Sequence, residues 1–473
     1  MTLSKSDFLL YLEAPMHLWA RKHANLPPAP LSPFDAHLTK QGYQIEDLAK
    51  KFLSQTLESD INTVLWQQTF TDVHFEARTD ALVHDKTEDV YDLYEIKSST
   101  DARDTRHLYD AAFQALILQE HVKLRHIYIV TVNSEYVRAG EIDPKAFFTI
   151  TLVDLTIKHL FEEVSAKREE AWKLCLAESS EHIEGCLNPK TCSCPDLCNP
   201  NLPEHSIFEV SGLWAKHKKE LREQGILSML DIPDDFPLKP KQRKQIEVTK
   251  LGKPFIDRDL IRHELEQLIT PLAFLDYETF NPGIPIYDGY HPYGVMTFQY
   301  SLHVLEHIGE PITHFEHIVT TKVDPSKEII YRLEQDMPKV GTVIAWNKSY
   351  EMGCNVQMAE LYPGYRDFLM DVNDRMYDLG DPFKENDMYV MPEFKGSWSI
   401  KNVLPVLVPE LSYKNLEIGE GATAMNAWWQ MVYEEGTQEE KEKIKKNLLK
   451  YCELDTLAMV RIWEKLVDTV KGS

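Results

Sequence analysis

The chain has 473 residues, 51 Lys and Arg against 75 Asp and Glu, and a net charge of −24. That length exceeds one ordinary core and predicts two or three domains, while 43% hydrophobic and 10% aromatic residues exclude a disordered chain. The acidity excludes a protein that grips nucleic acid through a general basic surface, but not an enzyme whose acids are neutralised by metal ions.

No basic region followed by an apolar run and a small-residue cleavage site opens the sequence, and no stretch of about 18 apolar residues occurs. The expectation is a soluble, cytoplasmic protein with no membrane partner. Four of the seven cysteines crowd between Cys186 and Cys198, which in a reducing compartment reads as metal binding before disulfides.

The opening, Leu3 to Leu10, has the pattern of a short helix capped by Ser4 or Ser6. A proline-rich loop from Pro27 to Pro33 leads to a helix over about Leu38–Leu57, where Glu46 is either a ligand or part of the polar face. Phe75–Val83 reads as a strand containing Asp80, His84–Asp89 as a turn, and Val90–Ser99 as a second strand-like run. Its Tyr91, Leu93, Glu95 and Lys97 share one face. An acid, a hairpin and then acid-x-Lys suits phosphodiester hydrolysis: Asp80 and Glu95 hold a divalent ion, and Lys97 orients the water and balances charge at phosphorus. The alternative is a surface ion pair between Glu95 and Lys97 on an edge strand. The helix Leu108–Leu118 is apolar almost all round, so Gln114 needs a polar partner, either a site or a backbone carbonyl.

After the cysteines, Phe208 to about Glu264 is helical and charged. Leu221–Pro233 has the look of a small helical hairpin that holds phosphates through turn amides, or of an ordinary linker. Lys239-Pro-Lys-Gln-Arg-Lys244 is a candidate basic groove or a solvated run.

Phe274-Leu-Asp-Tyr-Glu-Thr-Phe280 reads as a buried strand with Asp276 and Glu278 on one face. In a chain this acidic, roughly a dozen acid-x-acid pairs arise by chance. This one differs in its apolar setting and in the loop breakers Asn281-Pro-Gly283 behind it. Two like charges on an apolar strand call for a cation between them, Mg²⁺ or Mn²⁺ for oxygen ligands. A loop to Gly294, a strand from Thr297 to Val304, a buried strand Val343–Asn347 and a helix opening at Lys348–Glu351 follow. Gly396–Pro405 carries Lys401, read as a solvated helix start before a phosphate contact. The last element is an amphipathic helix over Glu440–Val470, with Tyr451 and Asp455 one turn apart on one face.

Two resemblances follow. Glu46, Asp80, the Glu95-Ile-Lys97 triplet and Gln114 resemble, in order, the RecB-like branch of the PD-(D/E)xK nucleases. Relatives in that branch hold an iron–sulfur cluster with one early cysteine and three later ones. Here the later ones match Cys186, Cys192 and Cys198, with Cys194 inserted, and Ala14 stands at the early position. The thiolates could hold Zn²⁺ or a [4Fe-4S] cluster that uses Cys194 instead. The second resemblance is to the DnaQ-like 3′→5′ exonucleases of the ribonuclease H fold, tyrosine-bearing subtype: Asp276 and Glu278, then Asn347, Tyr350 and Glu351, then Tyr451 and Asp455. The family has Asp more often where this chain has Glu351.

Together the pieces resemble an uncharacterised bacterial family joining the two nuclease types. The resemblance implies an α/β protein with a restriction-endonuclease-like domain over 1–205, a helical linker over 206–268 and a ribonuclease H-like domain over 269–473. It further implies two divalent ions on Asp276, Glu278, Glu351 and Asp455, with Tyr451 orienting water, and a second site on Asp80 and Glu95 with Lys97, Glu46 and Gln114. The expected partner is nucleic acid, DNA before RNA. The alternatives are one catalytic domain beside a binding platform, or a non-catalytic assembly module.

Overall fold

In a computed structural model of the protein, residues 2–24, 33–384 and 388–471 are described. Most of the expected proline-rich loop falls at 25–32, outside the described residues. The protein is mixed α/β with several sheets, and no helix among the described residues is long and apolar enough to cross a membrane. It divides into two compact units: residues 1–201 with 282–294, and residues 202–281 with 295–473. Residues 206–268 lie within the second unit, around a small apolar core of their own that includes Ile207, Leu221, Met229 and Ile246.

The first unit opens with α1 (Lys5–Glu13), α2 (Pro15–His23) and α3 (Pro33–Leu57). Ser4 caps α1: its Oγ accepts from the Asp7 amide while Asp7 accepts from the Ser4 amide, satisfying two otherwise unpaired donors. A five-stranded sheet runs in sequence order: β1 (Asn62–Trp66), β2 (Ala81–Asp85), β3 (Val90–Ile96), β4 (Leu124–Val132) and β5 (Phe148–Leu152), with only β3 and β4 parallel. The run expected as one strand over Phe75–Val83 is broken at Thr79–Asp80. Its first half, Phe75–Arg78, pairs with Leu3–Ser4 in a separate small sheet. The break frees Asp80 to accept the Ile96 amide at 2.8 Å. Alternation along β3 sends Leu93 toward α1, α4 (Thr105–Leu118) and α5 (Asp154–Cys175), and Tyr94 toward α3.

In the second unit, α6 (Ala215–Glu223), α7 (Pro240–Leu251) and α8 (Arg258–Glu266) precede a second five-stranded sheet. The candidate basic run sits at the start of α7 and is tied down locally. Arg243 donates to the Asp234 and Phe236 carbonyls, each at 2.6 Å, and Lys244 lies 3.6 Å from the centre of the Phe255 ring.

That sheet comprises β6 (Leu272–Phe280), β7 (Met296–Leu305), β8 (Thr313–Ile318), β9 (Thr342–Ala345) and β10 (Met376–Asp378), in spatial order β8-β7-β6-β9-β10. The β7 and β8 pairings are antiparallel; β9 and β10 run parallel to β6. The odd residues of β6, Ala273, Leu275 and Tyr277, pack toward α9 (Pro325–Asp336), α10 (Ser349–Leu361) and α11 (Arg366–Asp374). On the even face, Leu272 and Phe274 pack with α12 (Ile400–Leu407) and the 34-residue helix α14 (Gln438–Lys471), which follows α13 (Gly421–Tyr433). Strands β7 and β8 lie on one side of β6 and β9 and β10 on the other, so the strand order reverses between β6 and its parallel neighbour β9, the kind of place where α/β sheets form ligand crevices.

Candidate active site and metal-binding residues

The β6 face that is apolar at Leu272 and Phe274 turns acidic at Asp276 and Glu278. Glu278 is 7% exposed, and Asp276 is partly accessible. The pairing with β7 slips between Glu278 and Thr279, a bulge of the kind that re-aims side chains beside sites. On the opposite face the Tyr277 hydroxyl donates to Asn355 of α10 at 2.9 Å, and Asn355 donates to Asn373 of α11 at 2.7 Å. This buried chain of bonds fixes α10 against the strand that carries the acids.

Glu351 lies in the first turn of α10. The turn before it is held by Asn347, whose φ of 68° is left-handed, a conformation asparagine tolerates better than most residues. Asp378, at the end of β10, accepts the Asn347 amide at 3.0 Å, the Lys348 amide at 3.2 Å and the Gly380 amide at 2.9 Å. Asp378 belongs to no motif in the sequence. With three amides on its carboxylate it positions the turn that delivers Glu351.

Helix α14 is fixed over the sheet by buried polar bonds to β7. Gln299 donates to the Leu448 carbonyl at 2.9 Å, and Ser301 and His303 meet the Thr456 hydroxyl at 2.7 and 2.8 Å. In this register Tyr451, Cys452 and Asp455 face the acids of β6. The Cys452 thiol stands 3.5 Å from Asp276 Oδ2, and Asp455 Oδ1 accepts from the Tyr413 hydroxyl at 2.6 Å. Lys401 is not a solvated helix start. It is half-buried, with Nζ 5.7 and 5.5 Å from the ring centres of Tyr413 and Tyr451, within cation–π range. Gly396 allows its segment to pass there, since a Cβ would meet the Glu209 carbonyl oxygen at 2.2 Å.

The electrostatics follow from this packing. Burial, and then repulsion from Asp455, Glu278 and Glu351, pushes Asp276 well above the carboxylate range. Burial and Asp455 do the same to Glu278, against a lowering pull from Lys401. Burial takes Glu351 to about 8 with help from Asp378, and takes Asp455 to about 6 despite the Tyr413 bond and Lys401. Glu351 Oε2 is buried with no hydrogen-bond partner. Among the described residues none of the four acids has a Lys or Arg ion pair within 4.0 Å.

The corresponding cluster of the first unit is balanced internally. Glu95 is 1% exposed; its Oε1 accepts from Lys5 at 2.7 Å and Lys97 at 2.9 Å, and its Oε2 from Gln114 at 2.7 Å. Lys97 also donates to Asp110, as does Gln114 at 2.9 Å. Burial works to raise Glu95, but Lys97 and Lys5 overcome it and hold the carboxyl far below its usual range. Asp80 goes the other way, raised to about 7 by burial and by Glu95. Asp80, Glu95, Lys97 and Gln114 are thus brought together, joined by Lys5 and Asp110, which the sequence did not mark. Glu46 accepts from Gln67 at 3.2 Å and pairs with Lys50 at 2.8 Å; the Gln67 amide in turn donates to the Asp80 carbonyl at 3.2 Å. Among the described residues these acids do not offer three ligand atoms within 4.8 Å of one another, whereas Asp276 and Glu278 do with Cys452.

The four predicted cysteines also converge. Cys194 and Cys198 place their sulfurs 3.6 Å apart, and the Cys194 amide donates to Cys192 Sγ at 3.4 Å. Cys186 takes a contact from Asn199 Nδ2 at 3.7 Å. A fifth donor, His17 of α2, brings Nε2 within 3.3 Å of Cys192 Sγ. Ala14, at the position of the early cysteine in the family this unit resembles, is buried in the same cluster, one helical turn from His17.

Residues 273–399 match the model of a domain of unknown function, DUF2779. The match takes in Asp276, Glu278, Glu351 and Asp378 and stops short of Lys401, Tyr413, Tyr451 and Asp455. The chain is similar to an uncharacterized protein of Ureaplasma parvum serovar 3, 28% identical over 42% of this chain and 32% of that protein. It is also similar to an uncharacterized protein of Mycoplasma genitalium, 25% identical over 48% of this chain and 36% of that protein. The chain thus spans about a third of the length of these relatives. No solved structure matches significantly.

Proposed function

We propose that the second unit hydrolyses phosphodiester bonds as a metal-dependent 3′→5′ exonuclease of ribonuclease H-like class acting on DNA, and that the first carries a second, RecB-like nuclease centre. The observation behind this reading is the convergence of Asp276, Glu278, Glu351 and Asp455, whose charges nothing nearby neutralises in full. The donor set suits hard divalent ions. Its four acids offer only oxygen, with the Cys452 thiol beside them, one buried oxygen lacks a partner, and mutual repulsion among the acids is the kind a cation relieves. When bound, Mg²⁺ or Mn²⁺ would supply an activated water and charge stabilisation at phosphorus.

The chain's own residues would do the rest. Asp276 and Glu278 from β6, Asp455 from α14 and Glu351 from α10 hold the ions. The Tyr413 hydroxyl fixes one Asp455 oxygen, and Tyr451 also bonds this carboxylate. Burial and Asp455 raise Tyr451 far above its ordinary value, so its hydroxyl keeps its proton at working pH and can orient water. Lys401, held over both rings, stands where it can balance charge on a phosphoryl oxygen. The place of the acids where the strand order reverses supports the same reading.

A second reading rests on Lys5. Its ammonium already contacts Glu95 and lies 3.8 Å from Asp110, where a metal would otherwise be drawn. On that reading only the second unit is catalytic, and the first is a nucleic-acid platform. Digestion of 3′- and 5′-labelled single-stranded DNA, duplex DNA and RNA in Mg²⁺, comparing Asp276→Asn with Lys97→Ala, separates the two. Loss in both variants supports two centres, and loss in Asp276→Asn alone supports the platform. No change in either removes both assignments.

A further inference from the structure

The donors around Cys192 have a spacing that answers a question the sequence left open. His17, Cys192, Cys194 and Cys198 each offer one ligand atom, and all four atoms lie within 4.8 Å of one another. In an iron–sulfur cubane each thiolate sits on its own iron, so the sulfurs stand further apart than this. A single tetrahedral zinc ion, with Zn–S near 2.3 Å and Zn–N near 2.0 Å, puts two sulfurs about 3.8 Å apart and a nitrogen and a sulfur about 3.5 Å apart. The observed 3.6 Å between Cys194 and Cys198 and 3.3 Å between His17 and Cys192 are close to those edges.

We propose that the first unit holds one structural Zn²⁺ on His17 Nε2 and the sulfurs of Cys192, Cys194 and Cys198. Three further features fit such an ion. His17 is 4% exposed, and its other ring nitrogen is buried without a hydrogen bond, with Glu13 Oε1 3.3 Å away, near enough to pair with a metal-bound imidazole. The Cys194 amide points at Cys192 Sγ, as suits a thiolate. Gly185 brings the strand of chain before Cys186 against Cys198, where a Cβ would meet the Cys198 carbonyl oxygen at 2.0 Å. Cys186 lies beside Cys192 and Cys198 and takes a contact from Asn199, but it is not one of the four mutually close donors. The site stands apart from the proposed hydrolysis and does not depend on it.

The test is metal analysis of the full-length protein with zinc-edge X-ray absorption. The expected result is about one zinc per chain, a shell of three sulfurs and one nitrogen, and no absorption near 400 nm. Iron with acid-labile sulfide, a shell of four sulfurs, or no metal overturns the proposal. Among variants, His17→Ala and Cys198→Ser lose zinc, while Cys186→Ser and His17→Cys keep it. Glu13→Gln weakens zinc binding about 10–100-fold. Loss of zinc in Cys186→Ser with retention in His17→Ala would exclude the histidine. Should His17→Ala fail to fold, the sulfur and nitrogen count of the wild-type shell still decides.

Discussion

Replacing Glu351 with Gln separates a metal ligand from a structural acid, because the two roles predict opposite changes in stability. In the metal-free protein the Glu351 carboxyl is raised from its ordinary 4.5 to about 8, by burial first and by Asp378 next. A folded-state value above the unfolded one means the folded protein holds the proton longer, so the cost to folding grows between pH 4.5 and 8 and is constant above. At about 1.4 kcal/mol for each tenfold in proton affinity, the ceiling is about 5 kcal/mol at high pH and about 4 kcal/mol at pH 7.5. Water entry beside the partly accessible Asp276 reduces this, and a gain of about 2 kcal/mol is expected for E351Q. In a unit of this size that raises Tm by roughly 4–8 °C. The assay is thermal unfolding of wild type and E351Q in EDTA and in Mg²⁺ from pH 4 to 9. E351Q should be the more stable form in EDTA at pH 8, equal at pH 4, and unresponsive to Mg²⁺. A variant less stable at every pH, or one that keeps the Mg²⁺ response, would refute the reasoning.

Other outcomes follow from the same geometry. The Tm increase that Mg²⁺ gives the wild-type protein should grow from pH 5.5 to pH 8.5, since protons on Asp455 and Glu351, raised to about 6 and about 8, must leave before the ion binds; a flat profile would count against the carboxylate cage. Tyr413→Phe should lower the turnover of the second unit about tenfold by freeing Asp455, with substrate affinity little changed in a single-turnover assay. Lys401→Met should slow single-turnover cleavage at saturating substrate, while the salt dependence of binding changes by about one phosphate contact at most. Lys5→Met should destabilise the first unit by about 3 kcal/mol, since it leaves Glu95 buried with one cation fewer; Mg²⁺ or Mn²⁺ should restore part of that Tm if Lys5 stands in for a metal.

How far the site was legible depended on whether its residues lay on one periodic element. Asp276 and Glu278 could be placed on one strand face, and Tyr451 and Asp455 on one helix face, because alternation and the helical repeat are properties of neighbouring residues. Glu95, Lys97 and Gln114 were legible for the same reason. The strand expected over Phe75–Val83 was not, because its two halves join different sheets and only tertiary pairing of Leu3 with Phe75 reveals it. Lys401, in the first turn of α12, and Tyr413, in a short turn after it, meet the acids only through tertiary packing, and nothing local distinguishes that lysine from a solvated one. Asp378 sits on a three-residue strand and acts through backbone amides, which leave no side-chain pattern. Lys5 meets Glu95 across 90 positions, and His17 is one of 18 histidines with no motif of its own. Each of these residues is defined by where the fold brings it.

The central claim is that the four carboxyl groups of the second unit form a cage for divalent ions. The most direct test is anomalous diffraction from crystals of the full chain soaked in Mn²⁺. Two peaks about 4 Å apart among Asp276, Glu278, Glu351 and Asp455 are expected, both lost in crystals of Asp276→Asn. No peak among these residues, or peaks that survive that substitution unchanged, would contradict the account.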